Sequence, residues 1–178
     1  LKLRSKPDID MTTRQIVTSG LLAGLLFALQ VAMAGLPNIE PITLLLILYT
    51  IYLPRLVPLI VCAFILLEGI TYGFGIWWLH YLYVWPLLVF LAHLLRQKSS
   101  RVMWACFSGA FGLSFGALCA IPYALTGGLY AGFSYWVSGI PFDLLHCCGN
   151  AALMFALFKP LGQSLSYIAR FLGETNRL

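Results

Sequence analysis

Asp143, His146 and Asn150 stand at i, i+3 and i+7 within a stretch that is otherwise apolar. On a helix that spacing lines a carboxylate, an imidazole and an amide along one face. Glu68 is a fourth isolated polar group, inside the apolar run 56–72. If these runs lie in lipid, a charge near the bilayer centre costs about 2.5–3.5 kcal/mol, so such groups face a cavity or each other. Two readings stay open on the residues alone. In one, Glu68 pairs with His146 and the stripe is a satisfied contact between helices. In the other, the stripe borders a ligand cavity open to the outer side, with Asn38 and Glu40 adding polar groups at its rim. A third chemistry, acid–base catalysis by Asp143 and His146 in a membrane enzyme, lacks company: the chain has no HExxH, GxSxG or P-loop pattern.

Aromatic residues gather near the same end. Trp77, Trp78, His80, Tyr81, Tyr83 and Trp85 crowd one half of a single apolar run. Tyr130, Phe133, Tyr135 and Trp136 follow Gly127-Gly128, a pair that reads as the hinge of an outer loop over 126–140. An interfacial aromatic belt accounts for Trp77, Trp78, Tyr135 and Trp136. Tyr81 and Trp85 lie deeper, where aromatic walls with few polar groups suit a small-molecule site.

These residues need elements to hold them. The chain has 178 residues, 61% hydrophobic and 10% charged, with mean hydropathy +0.89. A soluble domain of this size cannot hide that much apolar surface, so the predicted class is an all-α integral membrane protein. Apolar runs predict six transmembrane helices over 13–35, 42–53, 56–72, 76–95, 102–125 and 141–158. Thr12 with Gln15 forms a capping-box signature at the first, and Pro141 reads as a first-turn proline of the sixth. The domain spans 12–162, between a polar extension over 1–11 and an amphipathic cytoplasmic tail over 163–178. The first run has no A-x-A site before Leu36-Pro37-Asn38, which favours a membrane helix over a cleaved signal.

All eleven Lys and Arg residues fall in 1–14, 53–57, 96–101 and 159–178. With six crossings these segments share one side, so the positive-inside rule puts both termini in the cytoplasm. The opposite segments, 36–41, 73–78 and 126–140, carry only Glu40 among charged groups. The net charge of +5 is thereby explained by juxtamembrane clusters and lipid headgroups, and nucleic-acid binding is excluded for want of a basic patch interleaved with aromatics. Five Cys, all in apolar segments, imply no disulfide framework and no metal site; adjacent Cys147 and Cys148 point about 100° apart on a helix.

On the first helix, Gly20, Gly24, Ala28 and Ala32 recur every four residues. They form a groove of small side chains that lets another helix approach closely. The neighbour can be a helix of this chain or of a partner.

Together these features resemble the substrate-binding subunit (S component) of energy-coupling factor (ECF) transporters. The resemblance covers about 12–162 and rests on "GLLAGLLFALQVAMAGLPNIEPITLLLILYT" (20–50), "YVWPLLVFLAHLLR" (83–96) and "YWVSGIPFDLLHCCGNAALMFALFKPL" (135–161). It implies a multi-pass vitamin receptor of the bacterial cytoplasmic membrane, with no ATPase or catalytic residue of its own. Such a subunit docks on a transmembrane coupling protein that carries two cytoplasmic ATPases. The family docks through small residues of the first helix, a role that falls here on Gly20, Gly24, Ala28 and Ala32. The family more often has alanine at the first of these positions. Its members are held to topple in the bilayer to release substrate inside.

The outer half offers acceptors, Glu40, Glu68 and Asp143, and no Lys or Arg. That disfavours anions such as folate and pantothenate and suits a cation such as thiamine, or an amide-rich ligand such as cobalamin. The likeness is to the cobalamin-type S components of lactic-acid bacteria, so cobalamin is the expected ligand, ahead of a thiamine-like vitamin or pantothenate. The expected binding set is Asn38, Glu40, Glu68, Trp77, Trp78, His80, Tyr81, Trp85, Tyr130, Trp136, Asp143, His146 and Asn150, in a cavity bordered by the third, fourth and sixth helices.

Overall fold

A computed structural model describes residues 11–35, 39–98 and 100–174. Among them the chain is all helical: α1 Thr13–Ala32, α2 Ile42–Tyr52, α3 Val57–Tyr72, α4 Ile76–Leu95, α5 Arg101–Gly127 and α6 Leu129–Phe171. Four of these, α1, α4, α5 and α6, are long and apolar enough to cross a membrane. The other two are shorter: α2 has 11 residues, about 16 Å of rise, against a hydrocarbon core of about 30 Å.

The starts follow local chemistry. The Thr12 hydroxyl accepts from the Gln15 backbone N–H at 3.3 Å, and the Gln15 side chain accepts from the Thr12 N–H at 2.8 Å, closing the anticipated capping box. Ser100 caps α5 by accepting from the Met103 N–H.

α2 is the centre of the fold. Every residue from Ile42 to Ile51 is buried, and the helix touches the other five. A helix apolar on all sides can be satisfied only by neighbours on all sides. α5 and α6 make the broadest contact in the molecule. They meet on glycine: a Cβ on Gly112 would lie 2.8 Å from the His146 carbonyl oxygen, one on Gly116 would overlap the Asp143 carboxylate, and one on Gly132 would overlap Ala124. Small residues of this kind let helix backbones close on each other.

The structure corrects the end of the chain. The anticipated outer loop over 126–140 reduces to Gly128, whose φ of 83° turns the chain straight from α5 into α6. Tyr130, Phe133, Tyr135 and Trp136 are therefore helical, and the hinged lid disappears. α6 runs 43 residues, about 64 Å, through both Pro141 and Pro160. Pro141 is thus an interior proline and not the start of the sixth helix. Its cost is at least one backbone bond, and packing of α6 along α5 outweighs it. The expected tail likewise begins as the last turns of α6. Its end returns to α1, where Gln15 donates to the Glu174 carboxylate at 3.1 Å and the Arg14 guanidinium sits over the Phe171 ring.

Candidate ligand site in the helical core

Asp143, His146 and Asn150 are all buried, on the α6 face turned toward α5 and the core. Asp143 Oδ1 accepts from the Gly116 backbone N–H at 2.9 Å, and Asn150 donates weakly to the Ser108 carbonyl at 3.4 Å. The remaining polar atoms of the stripe, Asp143 Oδ2, both His146 nitrogens and Asn150 Oδ1, are buried without a hydrogen-bond partner. Glu68 Oε1 is in the same position, as are both ring nitrogens of His80, the Trp85 indole N–H and the Ser108 hydroxyl. The Glu68–His146 pair, one of the two expectations for the stripe, is therefore not formed. Leaving such groups unsatisfied costs about 1–3 kcal/mol each, a burden a fold carries where the groups serve something other than packing.

Aromatic rings join these groups into one interior. Tyr81 meets Phe64, Trp77 and Trp85; Trp85 meets Phe115; and Phe115 stands edge-on to His146 with centroids 4.9 Å apart. The Tyr81 hydroxyl accepts from Gln30 of α1 at 3.0 Å. His80 faces Tyr123 and Tyr135, which stack on each other at 4.2 Å.

A cavity of about 310 Å³ opens in this region, lined by Phe115, Gly116 and Cys119 of α5 and Tyr135, Ser138, Gly139, Phe142 and Asp143 of α6. The expected cavity is bordered by the third, fourth and sixth helices, whereas this one lies between α5 and α6. Of the anticipated binding residues only Asp143 lines it, with His80 behind Tyr135. His146, Asn150 and Trp85 lie in the sealed core next to it. Trp78 is tied to the Ile65 carbonyl through its indole N–H at 2.8 Å, and Trp77 packs between Tyr72 and Tyr81. Tyr130 and Trp136 are exposed on α6. Asn38 lies outside the described residues. Phe115, Gly116 and Cys119 were not anticipated; the small residues Gly109, Gly112 and Gly116 along α5 were the signal that this helix closes on another.

Glu40 sits in the connection before α2. Burial, with a smaller push from the Glu68 carboxylate, raises its carboxyl from 4.5 to about 7. Two acids therefore lie within electrostatic reach of each other at this end.

The stripe on α1 is open. A Cβ added to Gly20 or Gly24 would meet nothing within 4 Å, and Gly20, Ala28 and Ala32 stand at the surface with Gly24 partly covered. α1 packs on α2 and α3 with its other side, burying Ser19, Leu22, Ala23 and Leu26. All five cysteines are free. Among the described residues no three His, Cys, Asp or Glu side chains converge as a metal-binding group. Comparison of the chain with protein-family models, curated proteins and solved structures finds no match.

Proposed function

We propose that this chain is the substrate-binding subunit of an ECF-type, ATP-driven vitamin importer in the bacterial cytoplasmic membrane. In this reading all six helices lie in the membrane, both termini face the cytoplasm, and α2 can be short because the other helices wrap it. ATP is hydrolysed by two partner ATPases, reached through a transmembrane coupling protein, and the chain itself catalyses nothing.

The observation that carries the proposal is the open small-residue face of α1. A membrane helix with Gly20, Gly24, Ala28 and Ala32 left unfilled by its own fold is shaped for close approach by a helix of another protein. The unpartnered polar groups around the α5–α6 cavity support the second half, a receptor for a small polar molecule.

The resemblance makes cobalamin the proposed vitamin. One observation favours a second reading: about 310 Å³ is near the lower end of the range of about 300–1,000 Å³ for small-molecule sites. That suits a thiamine-sized ligand better than a corrinoid.

The test is reconstitution with and without the coupling protein and ATPases, using cobalamin, thiamine and pantothenate as substrates. Uptake is expected only with the complete set and ATP. Gly24→Phe is expected to keep ligand binding and to weaken assembly with the coupling protein at least tenfold. Uptake by the chain alone without ATP overturns the proposal.

A further inference from the structure

We infer that the cavity between α5 and α6 binds an organic cation, with Asp143 as its counter-ion. This rests on the receptor reading in its second form, with a thiamine-sized ligand in place of cobalamin, and names the chemical class of that ligand.

Asp143 is only 3% exposed, yet its Oδ2 has no hydrogen-bond partner and its side chain lines the cavity. Among the described residues the one donor that reaches the carboxylate, the Gly116 N–H, is spent on Oδ1. The nearest Lys or Arg along α6 is Lys159, sixteen residues on, about 24 Å of helix. On α5 it is Arg101, at the far end of that helix. Among the described residues the chain thus supplies this buried carboxylate with no counter-charge. A buried acid without one is expensive, and intramembrane acids are kept where a pathway or ligand uses them.

The rest of the lining agrees. The Ser138 hydroxyl gives its hydrogen to the Tyr135 carbonyl at 2.9 Å, leaving only its lone pairs to offer. Phe115 and Tyr135 line it from the two helices, and aromatic rings attract cations. One anionic oxygen and aromatic side chains, with the Gly116 N–H already engaged and only the Tyr135 hydroxyl and Cys119 thiol as side-chain donors in the lining, favour a ligand carrying N–H donors or a positive charge. The volume limits it to the lower range of small-molecule ligands.

The experiment uses three probes with one phenol body: tyramine (cation), tyrosol (neutral) and 4-hydroxyphenylacetate (anion). Each is titrated calorimetrically into the purified full chain at low and high salt. Tyramine is expected to bind at least tenfold tighter than tyrosol, with 4-hydroxyphenylacetate weakest. Asp143→Asn, which keeps the Gly116 contact, is expected to erase the preference for tyramine. Should that variant fail to fold, the order of the three probes on the unaltered protein still decides. Equal binding of tyramine and tyrosol, a preference for the anion, or an unchanged preference in Asp143→Asn overturns the inference. These outcomes separate it from the importer proposal. ATP-dependent uptake of a neutral vitamin by a chain indifferent to charge sinks the cation site alone, whereas tyramine selectivity in a chain that transports without ATPases sinks the importer alone.

Discussion

The Tyr83 hydroxyl donates to the carbonyl oxygen of Leu118 across 2.6 Å. Four residues beyond Leu118 stands Pro122, which has no N–H to offer that carbonyl. A side chain of α4 thus replaces a missing backbone bond of α5, beside the Tyr123–Tyr135 stack that faces His80. In lipid no water is at hand to do the same.

Tyr83→Phe is expected to cost about 1–3 kcal/mol of stability, the penalty of an orphaned buried acceptor. Denaturant unfolding in detergent micelles measures it. In a Pro122→Ala background the amide returns to Leu118, so the loss should shrink to a few tenths of a kcal/mol. Simple additivity of the two changes would show that the hydroxyl does not serve this carbonyl.

Glycines on α5 and on α1 should respond in opposite ways. Gly112→Ala and Gly116→Ala drive a methyl into the His146 backbone and the Asp143 carboxylate, and each is expected to cost about 1–3 kcal/mol. Gly24→Ala meets nothing and should stabilise by up to about 1 kcal/mol through helix propensity. Thermal melts of the three variants in one detergent separate the two faces.

Glu40 sets a pH dependence. Its folded carboxyl titrates at about 7 against 4.5 when unfolded, so between these values the folded state holds the extra proton. Stability is then highest below about pH 4.5 as far as this group is concerned, and falls as pH rises toward 7. A tenfold difference in acidity between the two states is worth about 1.4 kcal/mol; partial exposure of the side chain brings the expected loss to about 1–3 kcal/mol. Glu40→Gln should flatten that part of the profile, and a slope unchanged in this variant would assign it to another group.

His146→Phe keeps an aromatic ring against Phe115 and removes two nitrogens that no group satisfies. Stability is expected to hold or rise, because the desolvation cost is gone. Binding of the transported vitamin, read by calorimetry, should be unchanged, because His146 lies behind the cavity wall and not in it. A loss of more than about 2 kcal/mol in stability would assign the imidazole to the fold, and a loss of binding at unchanged stability would place it in the ligand site.

Helix existence, the Thr12–Gln15 cap and the limits of α4 were legible because they follow from local patterns: an apolar run, a capping pair and flanking Gly75 and Arg96. The deeper position of Trp85 relative to Trp77 and Trp78 also followed from its place along α4. The end of the chain was not legible. Pro141 and Pro160 look like boundaries by local rules, yet α6 passes through both, because contact along α5 outweighs one lost bond at each.

By itself the sequence determined an all-helical, lipid-compatible chain with its cations in four clusters and a stripe of Asp143, His146 and Asn150 on one face. Periodicity and composition act within a single segment, and these properties need nothing more. Only the tertiary structure decided what that stripe faces. The glycine seam of α5 turns it inward, leaves Glu68 and His146 unpaired, and opens the cavity between α5 and α6. It also left Gly20 and Gly24 bare. Which small-residue face is filled by its own chain depends on how six helices share contacts around α2, and no single segment carries that information.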